Sequence, residues 1–270
     1  MAQARSIPFE NGYLGEVWAL RYFWRSLVQT DLRNRYKRSV LGVGWSLLHP
    51  MAMTAVICIC FRGIFDVSLR EYVPFLMSGM AFWAFVAGTT SEGCNAFFHA
   101  HGFIKSVRVP LAIYPLRVVL GTMFHFLIVL ATTIVVCGVF KGFDGVLPLF
   151  SLIPTLAILM LLGWAVATIM AFATVHFPDL QHISTIALQL LFYLTPVIYP
   201  PEIITSQRIA TVLKLNPLTY LLELIRDPVL HSQFPSASAY VVALLLLGGT
   251  MLGAVAATRR CERRLVFALL

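Results

Sequence analysis

Three basic residues stand directly before a long apolar run, and they are the first side chains in this sequence that could do chemistry. In the stretch RYKRSVLGVGWSLLHP, Arg35, Lys37 and Arg38 come first, and Trp45 lies within the apolar part. Cations at a membrane edge attract anionic headgroups and phosphates, and tryptophan favours the same depth. We therefore expect these four residues to bind lipid headgroups. Positive charge that only orients the first membrane span would be placed in the same way.

No catalytic motif is present. The sequence contains no G-x-x-x-x-G-K-[ST] phosphate loop, no glycine-rich dinucleotide turn, no H-E-x-x-H pair and no G-x-S-x-G elbow. Cys58 and Cys60 form a C-x-C pair without a second pair at zinc spacing, so we expect them to pack as small apolar side chains. The chain is therefore predicted to be no enzyme, to lack a metal site and to hold no cofactor of its own.

Acidic residues within the apolar runs are nearly missing, and one histidine is the only ionisable residue placed in the middle of a run. His125 lies in the middle of one run, and Glu92 lies near the end of another. Ionisable groups inside a span are functional candidates by default. For His125 we favour a structural role, in which a neutral imidazole hydrogen-bonds a neighbouring helix.

The composition indicates an integral membrane protein. Of the 270 residues, 59% are hydrophobic and 12% are charged, whereas a soluble domain carries about 25% charged residues. A net charge of +8 would suggest nucleic acid as a partner of a soluble protein. Here the basic residues flank a span and no nucleic-acid motif surrounds them, so we expect no nucleic-acid partner.

Six apolar runs are candidates for membrane-spanning helices, each of which needs about 20 mostly apolar residues. The fifth run is the weakest, because it is short and contains Pro196 and Pro200, which favour a break. Gly42 and Gly44 in the first run predict close contact with a neighbouring helix. The predicted fold is an all-α integral membrane protein with six spans at 41–65, 72–94, 111–140, 146–175, 183–200 and 238–258.

The distribution of lysine and arginine predicts the orientation. With six spans both termini lie on one side of the membrane, and that side carries 14 of the 20 basic residues. Basic residues are enriched on the cytoplasmic side. We expect both termini in the cytoplasm.

Two of the segments on this cytoplasmic side are too apolar for free loops. Residues 1–40 contain an amphipathic helix predicted to lie in the membrane interface, and its apolar stripe comprises Leu20, Phe23, Trp24, Leu27 and Val28. Residues 95–110 combine basic residues with Phe97, Phe98, Phe103 and Ile104. A solvated turn would not need these apolar side chains.

A third segment, residues 201–237 on the external side, also carries an apolar stripe. Asn216-Pro217 predicts the start of a helix. One face of that helix would carry Leu218, Leu221, Leu222 and Ile225. The spacing of Glu223 and Arg226 predicts that these two side chains pair.

Several stretches resemble the polysaccharide-export permeases of the ABC-2 class. RYKRSVLGVGWSLLHP resembles the segment that leads into the first span of that family. FIKSVRVP, LLFYLTPVIYP, LNPLTYLLELIRDPVL and the basic ending ATRRCERR resemble further family segments in matching order. Two places depart from the pattern: Pro178 precedes Asp179 where arginine is common, and Ala257-Thr258 stands where an aromatic residue is common.

The resemblance implies one ABC-2 type transmembrane domain over 1–270. Such a chain is the permease subunit of an ATP-driven exporter that moves a cell-surface polysaccharide (lipid-linked O-antigen, teichoic acid or capsule type) across the bacterial inner membrane. The channel would lie between two copies of the chain, and two separate ATP-binding subunits would bind ATP and Mg²⁺. Segment 1–40 would supply the interface helix, 95–110 the coupling helix and 201–237 the external re-entrant gate helices.

The resemblance also suggests roles for individual residues. The expected coupling residues are Phe97, Phe98, Phe103, Lys105 and Arg108. Aromatic rings suit sugar rings, and apolar residues suit a seal. The expected channel or gate residues are Phe82, Trp83, Phe85, Phe192, Tyr193, Tyr199, Tyr220, Leu221 and Leu222.

Other functions remain open from sequence. The same class contains exporters of small lipids and drugs. A membrane-embedded transferase acting on lipid-linked sugars would need paired carboxylates or a His–Asp constellation, which the sequence does not suggest. A purely structural membrane anchor is the third alternative.

Overall fold

Every secondary-structure element in the described part of the chain is a helix. The computed structural model describes residues 13–37, 39–65, 67–106, 109–142, 145–201 and 206–268. The twelve α-helices of these ranges are α1 Tyr13–Ala19, α2 Arg21–Tyr36, α3 Trp45–Phe65, α4 Leu69–Cys94, α5 Ala96–His99, α6 His101–Ser106, α7 Ile113–Lys141, α8 Leu152–His176, α9 Leu180–Leu194, α10 Gln207–Leu215, α11 Pro217–Leu230 and α12 Ala237–Ala268. Short 3₁₀ turns precede α3 and α8.

Within the described residues, five segments are long and apolar enough to cross a membrane. They are Gly42–Phe61, Leu69–Cys94, Ile113–Lys141, Leu147–His176 and Ala237–Cys261. These correspond to five of the six predicted spans. The predicted span at 183–200 does not, because its helix α9 has 15 residues. Such a helix is about 22 Å long, against a hydrocarbon core of about 30 Å.

Helix α9 ends inside the bundle. Its first turns lie beside the end of α4, where the Cys94 sulfur is 3.7 Å from the Ser184 hydroxyl. Its last turn lies beside Trp83, whose ring centroid is 5.3 Å from that of Phe192. At 1.5 Å per residue, this is about 20 Å short of the other end of α4. The chain then turns at Thr195 and Pro196, as the prolines of this run predict.

Helix α11 fills the end of the bundle that α9 does not reach. Asn216 caps it: the side-chain oxygen accepts from the Leu218 N–H at 3.0 Å, and the amide nitrogen donates to the Thr195 hydroxyl at 2.9 Å. The predicted start at Asn216-Pro217 is therefore confirmed. Leu221 and Ile225, on the predicted apolar face, are fully buried. They belong to a core shared with α4, α7, α8 and α12.

A buried arginine joins α11 to α4 and to the turn after α9. The Arg226 guanidinium donates to the carbonyl oxygens of Pro196 at 2.6 Å, Val197 at 3.1 Å and Phe75 at 3.2 Å, and to the Ser78 hydroxyl at 3.4 Å. It also stacks on the Phe75 ring, 3.7 Å from its centroid. We call these five residues the Arg226 socket. The spacing predicts a pair between Arg226 and Glu223, but four acceptors outside α11 bind the guanidinium.

Close backbone contacts use other glycines than the predicted ones. Neither Gly42 nor Gly44 faces a neighbouring helix; Gly42 instead has a positive φ of 50° in the turn before α3. At Gly79 in α4, a Cβ would lie 2.7 Å from the Arg226 guanidinium and 2.9 Å from the Val197 oxygen. At Gly93 it would lie 2.9 Å from the Ala167 backbone of α8. Within the single chain, Gly42 and Gly44 thus make no close helix contact, because both lie in the turn before α3.

We predict that Gly79→Ala destabilises the fold, because the added methyl group would displace either Arg226 or the turn after α9. Overpacking of this kind costs about 1–3 kcal/mol. The matched control is Gly121→Ala in α7, where a Cβ would meet nothing within 4 Å and alanine favours the helix by about 0.5–1 kcal/mol. Thermal unfolding of the detergent-solubilised proteins should show a lower Tm for Gly79→Ala and an unchanged or higher Tm for Gly121→Ala. Equal Tm values would show that the socket tolerates the methyl group.

Candidate functional site

Helices α1 and α2 pack against the beginning of α7. Val17 in α1 is buried with Ile113 and Leu116 of α7. Phe23 and Trp24, from the predicted apolar stripe of α2, pack on this cluster. The apolar stripe of α2 therefore packs against α1 and α7, and this packing positions α2.

Two ion pairs hold the second half of α2. The Arg117 guanidinium of α7 donates two parallel hydrogen bonds to the Asp31 carboxylate. One turn further along, Arg35 Nη2 donates to Glu92 Oε1 of α4 at 2.6 Å. Bidentate arginine–carboxylate pairs combine charge with fixed geometry. The end of α2 is therefore tied to both α4 and α7.

A polar cluster surrounds the Arg35–Glu92 pair. Arg35 Nη1 lies 3.1 Å from His125 Nε2, and His125 Nδ1 lies 2.8 Å from the Ser46 hydroxyl and 3.1 Å from the Tyr36 hydroxyl. A guanidinium can only donate, so Nε2 accepts and the imidazole is neutral with its proton on Nδ1. These contacts fit the structural role that we favour for His125, extended to three partners on α2 and α3.

The cluster forms one end of a cavity of about 590 Å³ between α3, α4 and α7. Its polar end is lined by Arg35, Tyr36, Ser46, His49, Glu92 and His125. Its other end is apolar, with Met80, Trp83, Phe85, Phe126 and Val129 among the lining residues. The distance along α4 from Glu92 to Met80 is about 18 Å, at 1.5 Å per residue. We call this space the α3–α4–α7 cavity.

The cavity opens to the outside of the bundle between α3 and α4. Trp45 and His49 on α3 and Ala84 on α4 line it and are exposed. The Trp45 indole donates to the Ser39 hydroxyl at 3.1 Å, which holds the ring at the rim. A ligand could thus reach the apolar part sideways.

Two of the four predicted headgroup residues line this cavity. Arg35 and Trp45 do so, whereas Lys37 is exposed at the end of α2 and does not. Arg38 lies outside the described residues. Tyr36, Ser46 and Glu92 also line the cavity but are not among the residues predicted from sequence. An acidic residue near the end of a span could have pointed to Glu92, but no local pattern shows that Glu92 pairs with Arg35.

The predicted channel and gate residues fall into two groups. Trp83 and Phe85 line the cavity, and Phe192 packs on Trp83, while Phe82 is fully buried and Tyr193 is 61% exposed. The second group comprises Tyr199, Tyr220, Leu221 and Leu222. The Tyr199 hydroxyl donates to the Tyr193 carbonyl and the Tyr220 hydroxyl to the Lys214 carbonyl, at 2.9 and 3.0 Å. The two groups meet at the bond between Tyr199 and Tyr193 and in the buried core that Phe82 and Phe85 share with Leu221 and Leu222.

The predicted coupling segment contains helices α5 and α6. Phe97 is fully buried, with its ring 4.9 Å from that of Phe172 and 6.5 Å from that of Tyr114. Its ring therefore anchors α5 to α7 and α8 and is not free to touch a partner, which corrects that expectation. Phe98 and Phe103 are 47% and 44% exposed. The side chain of Lys105 and all of Arg108 lie outside the described residues.

Comparison with known proteins decides the family. Residues 22–230 match the ABC-2 type transporter family. The chain belongs to this family. It is 27% identical to the O-antigen export system permease protein RfbA of Klebsiella pneumoniae over 225 residues, which cover 82% of this chain and 83% of that protein. Helices α2 to α11 thus form the family's domain.

Two further relatives extend the comparison. The O-antigen export system permease protein RfbA of Myxococcus xanthus is 28% identical over 211 residues, 77% of this chain and 80% of the relative. The polysialic acid transport protein KpsM of Escherichia coli is 22% identical over 212 residues, 76% and 80% of the two chains. With five membrane-length apolar segments among its described residues, this ABC-2 chain is a multi-pass inner-membrane protein. The resemblance stated from sequence is confirmed.

We predict that Asp31→Asn loosens α2. The change leaves Arg117, which is 16% exposed, without its charged partner. Trypsin should cleave after Arg25 and Arg33 several-fold faster than in the unchanged protein, as mass spectrometry of the fragments would show. The matched control is Glu71→Gln, the same chemical change at the exposed start of α4. Equal cleavage of the two variants would mean that apolar packing alone holds α2.

Proposed function

We propose that this chain is the transmembrane subunit of an ATP-driven exporter that moves a bacterial cell-surface polysaccharide across the inner membrane. The substrate would be a lipid-linked O-antigen, teichoic acid or capsule polymer. The observation that carries the proposal is the family match over residues 22–230, together with relatives named for O-antigen and polysialic acid transport. As in the orientation predicted from basic residues, both termini would lie in the cytoplasm.

The path for the polymer would lie between two copies of the chain. Helix α9 supports this proposal, because Ser184 and Leu188 are its buried residues and the rest of its surface is open or only partly covered. His182, Thr185, Gln189 and Tyr193 are exposed and share one face by their spacing of three or four residues. Polar side chains that face hydrocarbon are costly. A second copy opposite this face would enclose a wettable path.

ATP and Mg²⁺ would bind to a separate subunit, in two copies per exporter. The docking surface would be segment 95–110. Phe98 and Phe103 would be its anchors, because both rings are exposed while the neighbouring Phe97 is buried. Exposed aromatic residues that insert into a partner's pocket are frequent binding hot spots. Hydrolysis would reach the spans through α5, which Phe97 joins to α7 and α8.

The test of the exporter function combines this chain with a candidate ATP-binding subunit. The chain alone should hydrolyse no ATP, and the reconstituted pair should hydrolyse ATP and export the polymer. Phe98→Ala and Phe103→Ala should each weaken association about tenfold, a loss typical of an interface anchor.

Two control variants separate docking from folding. Phe97→Ala should lower the Tm, because truncating a buried phenylalanine costs about 3–5 kcal/mol. Phe234→Ala, at a ring between α11 and α12 that is 61% exposed, should change neither association nor Tm. ATP hydrolysis by the chain alone would contradict the proposed exporter function. Unchanged association in both docking variants would show that the ATP-binding subunit docks at another surface.

The external seal would be formed by α10 and α11, which would re-enter the membrane beyond the end of α9. Leu221 and Leu222 are fully buried in the core of the single chain. The nearby turn residues Gln233 and Ser236 are exposed. A seal of this kind prevents ion leakage in the resting exporter.

We predict that cysteines in this segment react at very different rates with a water-soluble thiol reagent. In a Cys60→Ser background, because Cys60 is an exposed native thiol, Leu221→Cys and Leu222→Cys should label slowly. Gln233→Cys and Ser236→Cys should label fast. Mass spectrometry of resting exporter in membranes would follow both pairs. Rapid labelling of all four positions would show an open loop and a seal elsewhere.

A further inference from the structure

We propose that the α3–α4–α7 cavity binds one lipid per chain, with a phosphate on Arg35 and the first part of a hydrocarbon chain along the apolar wall. We also propose that the Glu92 carboxylate occupies the phosphate position when no lipid is bound. The inference rests on the proposed function only in treating the lipid carrier of the polymer as one source of such a lipid. A phospholipid of the surrounding bilayer is the other source.

The first support is the division of the cavity into a charged end and an apolar end. A water-soluble metabolite would leave the wall formed by Met80, Trp83, Phe85, Phe126 and Val129 without polar partners. A purely apolar ligand would leave the Arg35 end unused. A phosphate on a hydrocarbon chain satisfies both ends. The cavity volume of about 590 Å³ lies within the usual range of ligand cavities, about 300–1,000 Å³.

The depth of the charged end also fits a lipid headgroup. Ser46 lies in the first turn of α3 and Glu92 in the last turn of α4, so this end of the cavity lies where the first apolar span begins. Headgroups lie at the same boundary between water and hydrocarbon. The opening at His49 and Ala84 faces outward between two spans. A lipid chain could enter there without leaving the membrane.

The Glu92 carboxylate on Arg35 can be exchanged for the phosphate of a lipid. It holds one guanidinium nitrogen of Arg35 at 2.6 Å, and the two side chains are 42% and 49% exposed. Partly solvated ion pairs contribute only about 0–1 kcal/mol, so an incoming phosphate can replace the carboxylate, which then turns to water. Lys37 next to the site adds positive charge. Because the Arg35–Glu92 pair joins α2 to α4, exchange would release this link when lipid is bound.

The test measures binding of four defined lipids to the purified chain in detergent, by native mass spectrometry. The probes are a polyprenyl phosphate, the matching polyprenol, phosphatidylglycerol and diacylglycerol. The two phosphate-bearing lipids should bind, and their neutral counterparts should bind at least tenfold more weakly. Preference for polyprenyl phosphate would identify the polymer's carrier as the ligand, and preference for phosphatidylglycerol a bilayer lipid. Equal binding of the neutral lipids would overturn the proposal.

Variants locate the bound lipid. Arg35→Gln should lower affinity at least tenfold, and Glu92→Gln should raise it several-fold by removing the competing carboxylate. Ala84→Trp should block the apolar part while leaving the polar cluster intact. The matched controls are Arg33→Gln, the same change at an exposed position of α2, and Ala131→Trp, at an exposed position of α7; both should bind within twofold of the unchanged chain.

The variants also keep the result independent of folding and of export. If Arg35→Gln lowers the Tm, Ala84→Trp decides the location by itself. Unchanged affinity in Ala84→Trp, with Tm and oligomeric state preserved, would exclude the cavity. The assay needs neither the ATP-binding subunit nor transport, so a failed export assay would leave the lipid result standing, and a failed lipid assay would leave the exporter standing.

Discussion

A helix that ends inside a membrane bundle must find donors for its last carbonyl groups and for those of the turn that follows, and in this chain Asn216 and Arg226 supply them. The hydrocarbon core contains no water that could do so, and an unsatisfied backbone group there costs several kcal/mol. Arg226 donates to the Pro196 and Val197 carbonyls just beyond the end of α9. Asn216 donates to the Leu194 carbonyl of the last turn at 3.2 Å. The interruption of the fifth apolar run therefore depends on side chains of α11 and its N-cap.

This arrangement explains why α9 and α11 form one unit although 22 residues separate their facing ends. A cation buried to 6% exposure is stable only when hydrogen bonds replace its water. Three carbonyl oxygens, a hydroxyl and an aromatic face do this around Arg226. The Phe75 ring and carbonyl belong to α4, so α4 also binds the Arg226 guanidinium. Gly79 leaves the space in which the guanidinium fits.

The sequence predicts much of this fold, and the failures have a common cause. Length and hydropathy locate five spans because they report how well a segment dissolves in hydrocarbon. Asn216-Pro217 locates the start of α11 because a helix cap depends only on residues next to each other in sequence. Contacts between distant segments are different: Arg35 and Glu92 are 57 positions apart, and Arg226 and Ser78 are 148 apart. Such pairs depend on how neighbouring helices are rotated and shifted, which periodicity does not record. Because the sequence does not show which side of a helix meets its neighbours, it points to Gly42 for close packing and not to Gly79. For the same reason it does not distinguish Phe97, which is buried, from Phe98, which is exposed.

The two arginines that organise the ends of the bundle differ in what neutralises them. Arg226 is surrounded by neutral backbone acceptors whose positions are fixed by the turn after α9, so moving it away would expose several unsatisfied groups at once. Arg35 is paired with a carboxylate that water also reaches. Another anion can replace that carboxylate at little cost, whereas no ligand can replace a set of carbonyls without breaking the turn. In the proposed exporter, the end that recognises an arriving substrate would need the exchangeable partner, and the sealed end would need the fixed one. The chain has the exchangeable pair beside its N-terminal helix and the fixed socket beneath α11.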